Sequence, residues 1–135
     1  MSTVAKIIEA EADPRVRAVF DDIRATRKSD FINNFWLYLA NDPNALEATW
    51  AEVKAVMVEP SDLDPLTKEM LYIAVSITNG CSYCIHSHTA AARVKGMTDA
   101  QYGDLLRVTG LAAKTNQIVT ALQVPVDEAY DADRG

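Results

Sequence analysis

Three of the five prolines in this chain directly follow an aspartate, as Asp13-Pro14, Asp42-Pro43 and Asp64-Pro65. Proline cannot donate from an interior helical position, but its fixed φ suits a helix's first turn, and an aspartate before it can cap the free amides there. Each pair therefore marks a helix start. The first predicts a helix from Pro14 to Lys28, with Val16, Val19, Phe20 and Ile23 at helical spacing among charged neighbours. A short apolar piece, Phe31 to Leu39, reads as a helix of two or three turns. The second pair opens a helix from Pro43 to about Glu59, where Leu46, Trp50, Val53 and Met57 recur every three or four residues. Glu59-Pro60-Ser61-Asp62 breaks it. The third pair opens a helix from Pro65 to Thr78, and Asn79-Gly80 ends it. Helices from Cys81 or Ser82 to Lys95, from Thr98-Asp99 to about Val108, and from Leu111 to Leu122 complete the reading. From Pro125 to Gly135 the chain is short, acidic and expected to be loose. Alternation of the kind that makes strands is missing, so the fold class is all-α.

The 135 residues suit one domain, residues 1–135 with a core over about 14–123, and 49% apolar residues are enough to fill that core. A net charge of −6 with no basic patch argues against a nucleic-acid partner. The longest stretch without Asp, Glu, Lys or Arg, Met70 to Ala92, contains Asn79-Gly80, two cysteines, two histidines and several hydroxyls. It is unsuited to crossing a membrane. The N-terminal segment carries acids early and does not read as a signal peptide, so the cytoplasm is the expected location.

Both cysteines lie in that charge-free stretch, as Cys81-Ser82-Tyr83-Cys84. Two helices meeting at Gly80 must form a nearly antiparallel hairpin. At 1.5 Å per residue, Cys84 lies ~6 Å and His88 ~12 Å along the second helix, and Glu69 ~16 Å back along the first. Cys84 and His88 share a face one turn apart, Cys81 starts the same helix, and Glu69 stands level with His88 or slightly beyond. Thiol, imidazole and carboxylate in that order match the nucleophile, base and orienter of an activated cysteine. A cysteine in the first helical turn also sits at the positive end of the macrodipole, which favours its thiolate. His86 points to nearly the opposite face, and no catalytic role is assigned to it.

The pattern Glu69, eleven residues, Cys81-x-x-Cys84, three residues, His88 resembles the signature of AhpD-like alkylhydroperoxidases, within the carboxymuconolactone decarboxylase superfamily. The likeness spans Leu63-Asp64-Pro65 through Gly96. Upstream, Leu39-Ala40-Asn41-Asp42-Pro43 and the Trp50 helix are similar to smaller peroxidase-related members. The resemblance implies that Cys84 attacks a hydroperoxide and that Cys81 resolves it into a Cys81–Cys84 disulfide. It also implies that His88 and Glu69 relay the proton, that an unidentified thiol or dithiol is the reductant, and that no cofactor or metal takes part. An all-α trimer or hexamer is implied as well. Tyr83 stands where some members carry a histidine, and the chain is shorter than the two-repeat members. Decarboxylation is not implied, because that branch lacks the cysteine pair.

Other readings of these residues remain open at this level. The two cysteines could be buried small side chains or half of a zinc site, although only one histidine stands close enough to help. Haem attachment requires histidine directly after the second cysteine, where Ile85 stands. The pair could serve a protein disulfide oxidoreductase or a redox-sensing module without peroxidase turnover. Trp36 and Trp50 read as core rather than cavity lining. Leu71, Ile73, Val75 and Ile77 predict a helix buried on several sides, which a domain this small achieves most simply by self-association. Tyr72 lies near Glu69 on that helix and is expected to help shape the pocket.

Overall fold

The computed structural model describes residues 1–130. Among them are six α-helices and no strand: α1 (Pro14–Arg27), α2 (Asn34–Leu39), α3 (Pro43–Val53), α4 (Pro65–Thr78), α5 (Ser82–Val94) and α6 (Asp99–Leu122). All three Asp-Pro pairs do what their chemistry demands. Asp13 accepts from the Arg15 amide at 2.8 Å, Asp42 from Asn44 and Ala45 at 3.1 Å each, and Asp64 from Thr67 at 3.0 Å.

Two differences from the sequence reading have clear causes. The helix from Pro43 loses its regular pattern after Val53 and continues as one wider π-helical turn, Lys54–Val58, closed by the Glu59 amide on the Lys54 carbonyl at 3.0 Å. Pro60 forbids Glu59 an α conformation and ends it there. The break expected between Val108 and Leu111 does not occur, and α6 runs straight through Gly110. A lone glycine costs a helix only about 1 kcal/mol, too little to end it. The start of α6 is instead secured by a reciprocal capping box between Thr98 and Gln101. After α6 the described residues form only a short 3₁₀ turn, Glu128–Tyr130, and residues 131–135 of the tail expected to be loose lie outside the described residues.

The chain divides into two compact units, the first Met1–Pro60 and the second beginning at Ser61. In the first unit α1 and α2 pack on α3. Its interior is Val16, Val19, Phe20, Ile23, Ile32, Trp36, Ala40, Leu46 and Trp50. The two tryptophan rings meet edge to face at 5.5 Å, and the Arg27 guanidinium lies over both. They are core, as their spacing predicts.

In the second unit α4 packs on α5 and α6 around Ile73, Ala92, Met97 and Leu105. A Schellman turn makes the α4–α5 hairpin. Gly80 takes φ +67°, its amide donates to the Ile77 carbonyl at 3.1 Å, and the Cys81 amide donates to the Ser76 carbonyl at 3.0 Å. Of α4, only the stripe Glu69, Ile73 and Ser76 is buried within the chain, while Leu71 and Val75 are more than half exposed. The expectation of a helix buried on several sides is thus not met by the single chain.

Candidate active site

The turn at Gly80 places Cys81 at the N-cap of α5 and Cys84 in its first turn. Cysteine can cap a helix because its sulfur accepts weakly, and the Cys84 amide donates to Cys81 Sγ at 3.3 Å. The two sulfurs are joined in a disulfide, with Cα atoms 5.3 Å apart. Among the described residues no three His, Cys, Asp or Glu side chains gather as a metal-ligand set. The structure therefore brings Cys81 and Cys84 together as a bonded pair rather than as loose thiols in a core.

His88 follows Cys84 by four residues on α5, one turn along the same face. Its Nδ1 lies 2.7 Å from Glu69 Oε2, so the hairpin brings carboxylate and imidazole together as the axial offset predicted. Glu69 is only 5% exposed, and a carboxylate so placed must be compensated. Burial alone would push its carboxyl up. The hydrogen bonds from His88 and Lys95, with the charge of both, outweigh burial and hold it below the usual carboxylate value. An ionised carboxylate only accepts, so His88 Nδ1 donates the shared proton, and Nε2 is the ring nitrogen that Glu69 does not engage.

The ring of Tyr72, one turn beyond Glu69 on α4, stacks on the His88 ring with centroids 3.6 Å apart and planes 20° apart. The pocket-shaping role expected of Tyr72 takes the form of a flat cover on the imidazole. His86 is exposed and makes no part of this cluster.

Lys95 was not singled out by the sequence reading. Its Nζ donates to Glu69 Oε1 at 2.9 Å, so each carboxylate oxygen has its own donor. A signal existed: Lys95 stands seven residues after His88, two turns along the same helix face.

The same architecture recurs in known proteins. The profile of the Carboxymuconolactone decarboxylase family matches residues 44–127, more than half the chain. The alkyl hydroperoxide reductase AhpD of Azorhizobium caulinodans is 30% identical over 133 residues, covering 96% of this chain and 73% of that protein. The crystal structure of the alkylhydroperoxidase AhpD core from Rhodospirillum rubrum superposes with a TM-score of 0.93 at 62% identity, covering 96% of this chain and 97% of that one. The all-helical hairpin with its CxxC pair, the matched profile and these two relatives agree: this chain belongs to the carboxymuconolactone decarboxylase family as an AhpD-like member.

Proposed function

We propose that this protein is a thiol-dependent peroxidase that reduces hydroperoxides through the Cys81/Cys84 couple, with Glu69 and His88 as its proton relay. One observation carries the reading: a buried, ionised Glu69 holds His88 by Nδ1, one helical turn from a cysteine already paired with its CxxC partner. The names of both relatives, an alkyl hydroperoxide reductase and an alkylhydroperoxidase core, support the peroxide as substrate.

In the reduced protein, His88 Nε2 takes the proton of Cys84 and Glu69 stabilises the imidazolium that results. The thiolate attacks the terminal oxygen of the hydroperoxide and the O–O bond breaks. Cys84 is oxidised to a sulfenic acid, and the departing alkoxide takes a proton from the relay to leave as an alcohol. The Cys81 thiol then attacks the Cys84 sulfur, water leaves, and the disulfide forms. An external dithiol returns both cysteines to thiols and is itself oxidised to a disulfide. No cofactor enters these steps. A disulfide that must be reduced in every cycle suits the cytoplasm, where thiol pools are kept reduced.

Peroxide consumption in the presence of excess dithiol tests the proposal. With dithiol the protein should turn over catalytically and Cys84→Ser should not react, while Cys81→Ser mixed with peroxide in the absence of dithiol should consume one equivalent per subunit and stop. Dithiol oxidation without peroxide loss would instead indicate a protein disulfide oxidoreductase or a redox sensor. Loss of the first equivalent in Cys81→Ser would reverse the roles of the two cysteines.

We also propose a homo-oligomer, a trimer or hexamer. Leu71 and Val75 on α4, and Leu111, Ile118, Val119 and Leu122 on α6, are exposed large apolar side chains of the single chain. Light scattering that returned a mass near the 14.8 kDa of one chain would contradict this.

A further inference from the structure

A carboxylate and an imidazole 2.7 Å apart can hold either one proton or two. With one proton, on Nδ1, the Nε2 lone pair is free. With two, either the imidazole is charged or the carboxyl is neutral with its proton facing the ring, and Nε2 no longer serves as a base. Burial favours the second proton, because Glu69 at 5% exposure lacks the water that would stabilise its charge. A fixed cation on the other oxygen removes that need.

Lys95 stands where such a cation is required. It is the C-cap of α5, held by a second Schellman turn: Gly96 at φ +96° donates to the Arg93 carbonyl at 3.0 Å, and Met97 donates to the Ala92 carbonyl at 2.9 Å. Met97 is buried at 5% exposure, which anchors that turn in the core. From there the ammonium reaches back to Glu69 Oε1 at 2.9 Å while its side chain stays one-third exposed to water. The neighbouring charges are otherwise engaged. On α6, packed against α4, Asp104 pairs with Arg107 and Asp99 with Arg93 of α5, and Arg93 also lies over the Tyr102 ring. On α4, Tyr72 offers His88 the face of its ring.

We propose that Lys95 is a positioning residue of the relay: its ammonium on Glu69 Oε1 takes the place of a second proton on the Glu69–His88 pair, leaving Nε2 of His88 free to act on Cys84. The inference deepens the peroxidase reading and depends on it only for the last step, from His88 to the sulfur.

The test follows the ring nitrogens directly. The full-length chain, labelled with ¹⁵N-histidine and assigned with His86→Gln, is titrated by NMR as wild type, Lys95→Met and Lys95→Arg. In Lys95→Met the pair should take up its second proton at a pH higher by about one unit or more, as removal of an adjacent cation dictates. Lys95→Arg should follow the wild type. In a Cys81→Ser background, single-turnover peroxide reaction of Lys95→Met should fall about tenfold on the acid side and rejoin the wild type in base. A Lys95→Met titration superimposed on the wild type, or a Lys95→Arg curve displaced like that of Lys95→Met, would overturn the role of the fixed charge. A displaced curve in a protein with no peroxide reaction in any variant would sink the peroxidase reading and leave the hold of Lys95 on the pair standing.

Discussion

The two units use their interiors in opposite ways. The first, around Phe20, Ile23, Trp36, Leu46 and Trp50, buries only hydrophobic residues, the indole N–H groups being its sole polar side-chain atoms there, and its ion pairs, such as Arg24 with Glu9 and Lys54 with Asp22, stay at or near the surface. The second buries fewer and smaller apolar groups, Ile73, Ala92, Met97 and Leu105, and spends interior space on Glu69 and Ser76. Burying a carboxylate with two donors is at best a neutral bargain for stability compared with packing a hydrophobe there. That Glu69 is nonetheless buried, with each oxygen satisfied and its histidine covered by Tyr72, marks the second unit as the one shaped for chemistry.

The contrast can be broken by substitutions of opposite character. Phe20→Ala should cost about 3–5 kcal/mol of stability, because it opens a cavity among well-packed aromatic and aliphatic groups. The rate of peroxide reaction per folded molecule should remain unchanged. Cys84→Ser should show the converse, with peroxide turnover abolished and far less stability lost. Denaturant melts beside activity assays read both, and a large stability loss in Cys84→Ser would erase the division of labour.

Acid stability sharpens the comparison further. The carboxyl of Glu69 is held below its ordinary value in the folded state, so its contribution is fully present above that value and is lost as pH falls through the folded one. Wild type should therefore exceed Glu69→Gln in stability at neutral pH by a margin that shrinks below about pH 4. A margin independent of pH would mean that Glu69 acts by shape and not by charge. The smallest effect belongs to His86→Ala. This exposed residue lies on the far side of α5 from the cluster, and the change should alter stability by no more than about 0.5 kcal/mol.

Much of this was legible before any coordinates, for identifiable reasons. Asp-Pro pairs and Asn79-Gly80 act through local backbone chemistry, so helix starts and the decisive turn could be read from neighbouring residues alone. The pairing of Glu69 with His88 was legible because a tight hairpin converts sequence distance into axial height. What escaped reading depended on balance or on tertiary reach. The break expected between Val108 and Leu111 falls at Gly110, but one glycine costs too little to interrupt α6. Lys95 sits at a helix end, where a lysine is ordinary on dipole grounds alone, so its place two turns along the His88 face was too weak a signal to show that its ammonium turns back toward a buried carboxylate. The exposed sides of Leu71 and Val75 were likewise invisible, since an apolar run does not say which surface covers it.

The central claim is that Glu69 acts on Cys84 through His88 and not beside it. Stopped-flow measurement of single-turnover peroxide reduction in Glu69→Gln, His88→Ala and the double variant addresses it most directly. Each single change should slow oxidation by roughly 100-fold, within the range that positioned acid–base groups contribute. In a serial relay the double variant should be little slower than His88→Ala alone. Losses that multiply, with Glu69→Gln as harmful without His88 as with it, would show two independent groups and contradict the relay.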